Sequence, residues 1–287
     1  MAVTQPTVKA PRRITRRHER RRTVLRWIGI TGLLAFLVSP MVPLFIWSIA
    51  FRWFYPDILP SEYSSRAWEA VFSPTNDVIG AAWDTTLIAL VVTALSILVG
   101  VPAGRALGLH EFRGKRVVEL MILAPIIVPG LAVALGVHTL FIRYGLTNTV
   151  LGVSLVHLIP TLPYMTLVMS GVFANYDPDY EAQARSLGAG PIATLRYVML
   201  PAIFPGLVVG ALFTFLISWS QYVLTLLIGG GQVVTLPLLL FNFARSGDNA
   251  IAGALSVVFI LPGILVLMLS SKYLTGENAA VGGIGNI

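Results

Sequence analysis

Six apolar runs, near 27–51, 79–104, 118–141, 151–173, 205–228 and 250–271, set the terms on which this chain can fold. A helix rises 1.5 Å per residue, so about 20 such residues cross the hydrocarbon core of a bilayer. No water reaches the backbone there, and helix closes its hydrogen bonds within its own segment. The chain therefore reads as an all-α membrane protein with six transmembrane helices. Composition agrees, because 11% charged residues is less than half of the roughly 25% usual in soluble domains. Mean hydropathy is +0.80.

Charge placement orients the spans. Nine of the twenty Lys and Arg residues precede Trp27. Such a tail could bind nucleic acid, open a secretory signal or hold the N-terminus in the cytoplasm. A signal h-region is only about 7 to 15 residues long, and Ser48-Ile49-Ala50, which imitates a cleavage site, lies far from the charges. The topological reading wins, with attraction to anionic lipid alongside and no nucleic-acid partner. With the N-terminus inside, sixteen cations fall in cytoplasmic segments and four (Arg52, Arg66, Arg143, Arg245) outside. Both termini are expected in the cytoplasm. Trp47, Trp53, Phe54 and Tyr55 bracket the outer end of the first span as an interfacial belt. The expected divisions are a basic tail (1–26), a first span with an outer segment (27–78), a five-helix core (79–271) and a cytoplasmic tail (272–287).

Between spans, 57–77 is too polar to cross and is placed on the outer surface. Residues 236–241, Leu-Pro-Leu-Leu-Leu-Phe, are too short to cross and read as re-entrant or interfacial. The third and fourth runs are separated only by 142–150, which predicts a tight helical hairpin. Cysteine is absent, which excludes disulfides, thiolate metal sites and cysteine nucleophiles. The glycines at 229–231 lack the Lys-Ser/Thr of a phosphate-binding loop, and no such loop occurs elsewhere. The chain is not expected to be an enzyme, and no cofactor or metal is assigned to it.

A polar island at 177–201 interrupts the apolar pattern. Asp177 suits an N-cap, Pro178 the first helical position, and Asp179 and Glu181 the positive helix end. Ala182, Ala184 and Leu187 favour helix, and Gly188 offers the left-handed stop. Gly190-Pro191 opens a second short helix with Ile192, Leu195 and Met199 on one face. Two short helices joined at a glycine would form a knob on the membrane surface.

In spacing, Gly188 is followed ten residues later by Val198 and then by Leu200-Pro201, which resembles the EAA loop of ATP-binding cassette (ABC) importer permeases. The pattern from Asp84 to Met268 resembles the whole transmembrane domain of the type I permeases. Ile127-Val128-Pro129-Gly130 and Thr235-Leu236-Pro237 resemble the subgroup serving polyamines, thiamine, iron and aminophosphonates. The resemblance implies a bacterial inner-membrane location and a second permease subunit forming a heterodimer with this one. It further implies two ATP-binding subunits, which carry ATP and magnesium, and an extracytoplasmic substrate-binding protein. Its ATPase-coupling positions fall on Asp177, Glu181, Ala184, Gly188, Leu200 and Pro201. The family's motif glutamate aligns with Ala182, and Glu181 stands one residue early, about 100° around a helix.

Polar residues within spans mark a candidate solute path. Thr214, Ser218, Gln221, Tyr222 and Thr225 share a face of the fifth run, and Ser154, His157, Thr161 and Tyr164 a face of the fourth. Helix-to-helix bonding is the competing role for such residues. An ion-coupled secondary carrier is the rival mechanism, but the central thirds of the runs lack Asp, Glu, Lys and Arg. The expected cargo is a polyamine or another small cationic or zwitterionic solute. Ser218-Trp219-Ser220-Gln221-Tyr222 resembles sugar and glycerophosphodiester permeases and gives the alternative, a sugar or glycerol-phosphate derivative.

Overall fold

The computed structural model describes residues 16–54 and 56–274, with side chains from Val24 to Ser271. The readings on the tail before residue 16, on Tyr55 and on the tail from 275 lie outside the described residues. Helix α1 (Arg16–Val38) leads through Ser39-Pro40 into α2 (Met41–Ile49). Strands β1 (Ala50–Arg52) and β2 (Glu62–Tyr63) pair antiparallel in the outer segment, followed by α3 (Arg66–Phe72). The core comprises α4 (Val78–Leu109), α5 (Lys115–Ile127), α6 (Gly130–Arg143) and α7 (Val150–Ala174). After the island, containing α8 (Asp179–Ser186) and α9 (Pro191–Thr194), come α10 (Leu200–Trp219), α11 (Val223–Gly229), α12 (Leu236–Ser246) and α13 (Asn249–Leu274).

Four described helices are long and apolar enough to cross a bilayer: α4, α7, the helix over Pro191–Trp219, and α13. Two bent pairs, α1–α2 and α5–α6, bring the number of candidate crossings to as many as six. The first and third runs are therefore broken where uninterrupted helices were expected. Proline is the reason in both. Pro40 precedes a 47° bend and Pro129 a 100° bend. Val128 takes φ −74°, ψ 132°, the extended conformation that a residue before proline is forced towards.

The fifth run also differs. Its helix starts earlier than expected, at Pro191, and stops at Trp219, with α11 beginning after a break at 220–222. Ser220 Oγ bonds back to the Leu216 carbonyl at 2.9 Å at this helix end.

Helices α4 and α7 form the central pair. Gly100, Gly104 and Gly108 lie at four-residue spacing on α4. A Cβ on Gly104 would stand 2.5 Å from Met169 Cβ and 2.9 Å from Met169 backbone carbon. Small residues let two backbones meet in lipid, where dispersion and close fit replace the hydrophobic effect. At the other end α3 packs on α2 and α13, burying Ala67 and Val71. Arg66 makes a two-point ion pair with Asp248, 2.9 Å on each side. The apolar 236–241 segment is the start of α12, held to α4 by the Leu236 N–H donating to Thr85 Oγ1 at 2.9 Å.

Candidate functional site

The knob's first helix follows its sequence. Asp177 Oδ1 accepts from the Asp179 N–H at 2.9 Å, filling an otherwise orphaned donor of the first turn. At the other end Gly188 takes φ +86°. The Ala189 N–H bonds the Ala184 carbonyl and the Gly188 N–H the Arg185 carbonyl, each at 3.0 Å. That bond pair is the Schellman closure, which requires a left-handed residue at Gly188.

The second helix departs from expectation. It is a single turn that continues through a π-helical turn over Leu195–Met199 into α10. The Leu200 N–H reaches back five residues to the Leu195 carbonyl. Proline at 201 has no N–H, and in regular helix its ring would press on the Tyr197 carbonyl, so a wider turn ahead of it relieves the conflict. The extra residue shifts the helical phase. Met199, expected on the Ile192–Leu195 face, is buried, whereas Ile192 is 78% exposed.

Glu181 faces inward. The Arg105 Nη2 donates to both Glu181 carboxylate oxygens at 2.9 Å, and Arg105 Nη1 lies 2.9 Å from Met199 Sδ. The guanidinium carbon is 6.0 Å from the Phe173 ring centre. Tyr176 is buried beside them, and desolvation, reinforced by the Glu181 charge, pushes its hydroxyl up to about 12. Arg105 was missed as a site residue. Charge complementarity was the available signal, but nothing local pairs positions 76 residues apart. Ala182, where the family's motif glutamate aligns, is exposed on the outer side with Gln183. Asp177, Leu200 and Pro201 are also exposed, and Ala184 is half-buried. Tyr180, Leu187, Ile192 and Tyr197 add large exposed apolar surface to the knob.

The two polar stripes divide in the structure. Ser154, His157, Thr161, Thr214, Ser218 and Thr225 are buried. His157 lies 3.0 Å from Ser218 Oγ through Nδ1 and 2.9 Å from Thr225 Oγ1 through Nε2. Thr225 directs its own hydroxyl hydrogen to the Gln221 carbonyl, so Nε2 carries the donated hydrogen and Nδ1 accepts from Ser218. Thr161 likewise donates to the His157 carbonyl and meets Ser96 Oγ at 3.2 Å. Ser154 and Thr214 bond carbonyls one turn back. These six side chains are engaged within the bundle.

Tyr164, Gln221 and Tyr222 retain exposed surface. The latter two occupy the α10–α11 break, where the Tyr222 ring packs against Phe241 of α12, tilted by 37° with ring centres 4.3 Å apart. A broken helix within a membrane is tolerated where it faces protein or a polar cavity.

A membrane bundle with an amphipathic two-part knob inserted before a long helix defines a class of transport permease. Residues 100–276 match the family described as binding-protein-dependent transport system inner membrane component. The chain belongs to that family and is the permease component of an ABC importer. It is 28% identical over 216 residues to the spermidine/putrescine transport system permease protein PotC of Haemophilus influenzae, covering 75% of this chain and 83% of that one. It is 26% identical to the putrescine transport system permease protein PotI of Escherichia coli K12, covering 89% and 88%. Identity to the putative 2-aminoethylphosphonate permease protein PhnV of Salmonella typhi is 27%, covering 84% and 92%. Among solved structures, a bacterial ABC transporter involved in importing the acidic polysaccharide alginate superposes with a TM-score of 0.69. Its identity is 19%, over 91% of this chain and 99% of that one. The MetNI methionine ABC transporter gives 0.57 at 16% identity, over 69% and 94%. The type I importer permease fold and the multi-pass inner-membrane location are thereby shown.

Proposed function

We propose that this chain forms half of the translocation path of an importer for a polyamine or another small cationic or zwitterionic solute. The observation that carries the substrate class is the similarity to PotC, PotI and PhnV, whose named cargoes all bear an amine. In this reading a second permease subunit supplies the other half of the path, one of two ATP-binding subunits docks on the 177–201 knob, and a binding protein delivers the solute outside. The Schellman closure at Gly188 and the exposed Leu187, Ile192 and Tyr197 support the knob as a preformed docking element. Tyr164, Gln221 and Tyr222 are the pathway candidates with surface left for a solute.

Purification from native membranes, with identification of co-eluting chains and of the ligand held by the binding protein, tests the assembly. Uptake of labelled putrescine into proteoliposomes containing the whole complex then tests the cargo. Uptake that requires ATP, with no nucleotide hydrolysis by this chain alone, is expected. Import of a sugar or glycerol-phosphate derivative instead would replace the cargo, and ion-driven uptake by the single chain would replace the mechanism.

A further inference from the structure

We propose that Arg105 is a positioning residue that joins the knob to three spans as one moving unit. The inference rests on the reading of 177–201 as the coupling element and goes beyond it, because Arg105 lies outside that segment. Its guanidinium, near the end of α4, meets three other parts at once: Glu181 of α8, Met199 in the π-helical turn leading to α10, and the Phe173 ring near the end of α7. Elsewhere α8 rests on α9 and the π-helical turn. The ion pair therefore adds a direct side-chain link from α8 to the tightly packed α4–α7 pair.

Two features suit this link to transmitting force. The two terminal nitrogens of the fork take different partners, Nη2 both oxygens of Glu181 and Nη1 the Met199 sulfur. One rigid planar group thus holds α8 and the π-helical turn at fixed positions against α4. The Glu181 side chain is only 8% exposed, whereas that of Arg105 is 37% exposed. Solvent can screen the arginine, but the carboxylate depends on its partner, with the buried Tyr176 beside it. Loss of the arginine would leave a buried carboxylate uncompensated, which is strongly unfavourable. When a docked ATPase tilts α8, α4 is carried with it, and the glycine-lined contact passes the movement to α7.

The experiment uses the complete importer in proteoliposomes, comparing the parent with Arg105→Gln, Glu181→Gln, their double variant and Arg105→Lys. Putrescine moved per ATP hydrolysed is measured per assembled complex, so poor insertion lowers yield and leaves the ratio interpretable. Arg105→Gln, outside the coupling segment, is expected to retain the ATP-binding subunits and basal hydrolysis, with the ratio down at least tenfold. Glu181→Gln is expected to lower the ratio by the same factor. The double variant should be no worse than either single one, because both break the same link. Arg105→Lys should fall between, keeping the charge and losing the fork. A parental ratio in either single Gln variant, or losses that multiply in the double variant, overturns the proposal. If Arg105→Gln fails to assemble, a parental ratio in Arg105→Lys overturns the role of the fork. Gly188→Val separates this idea from its foundation. If that variant transports normally, the coupling reading falls; if it uncouples while the Arg105 and Glu181 variants do not, only the link falls.

Discussion

At Gly188 nothing lies within 4 Å of where a Cβ would stand, so its constraint is backbone conformation rather than space. A left-handed φ costs a side-chain-bearing residue about 1–2 kcal/mol, and β-branching worsens it, while Asn tolerates it. Gly188→Val is expected to insert normally but lose most transport, with Gly188→Asn near the parent; uptake and membrane content measured together check this. A steric role would make both variants fail. The divided polar stripes give a second residue-level contrast. Removing the His157 ring leaves the buried Ser218 hydroxyl without its partner and takes from Thr225 Oγ1 the hydrogen it accepts, at a cost of about 1–3 kcal/mol. His157→Ala should therefore lower the melting temperature in detergent, whereas Gln221→Ala should leave melting unchanged and alter solute uptake. Equal melting of the two variants would contradict the buried network.

Among the elements, the α4–α7 contact depends on absent side chains. Gly104→Leu would place its Cβ against Met169 backbone as well as side chain, so rotamer changes alone cannot relieve it. Overpacking of that kind costs about 1–3 kcal/mol, and thermal melting of the purified chain should show a clear drop. The link from α3 to the start of α13 is of another kind. Paired with Arg66, the Asp248 carboxyl is held below the usual carboxylate range, first by that hydrogen bond. A lowered folded pKa stabilises at pH above the unfolded value and is lost as pH falls through the folded one. Asp248→Asn, which can still accept the Ile251 N–H, should therefore lower stability by about 1 kcal/mol at neutral pH. The difference from the parent should persist at pH 5 and vanish only in stronger acid. A gap that instead widened on acidification would reverse the assignment of the charged pair.

For the whole molecule, the cation bias makes orientation testable. Reporter fusions at Gly276 and near Thr4 should both give a cytoplasmic signal, and one near Ser61 an external one. An external signal from either terminus would overturn the six-crossing arrangement with both ends inside. The bent pairs α1–α2 and α5–α6 are the elements on which that count depends, since each must act as one crossing.

Membrane residence, the helical class and the knob's first helix were legible in the sequence because each depends on local rules. Apolar length decides crossing, capping residues decide where α8 starts, and a glycine decides how it ends. The Gly188-to-Leu200-Pro201 spacing carried the family for the same reason, being contained within one short segment. The continuity of the fifth span into the knob was not legible, because a π-helical turn, not a boundary, absorbs Pro201. Nor could sequence sort the polar stripes, since period alone makes Thr225 and Gln221 neighbours on a face. The fold buries one against His157 and leaves the other at a helix break. Glu181 makes the distinction plainest: its helical position follows from sequence, but its inward partner Arg105 comes from a distant span. Only the packing of α4 against α7 and α10 brings that guanidinium within 2.9 Å.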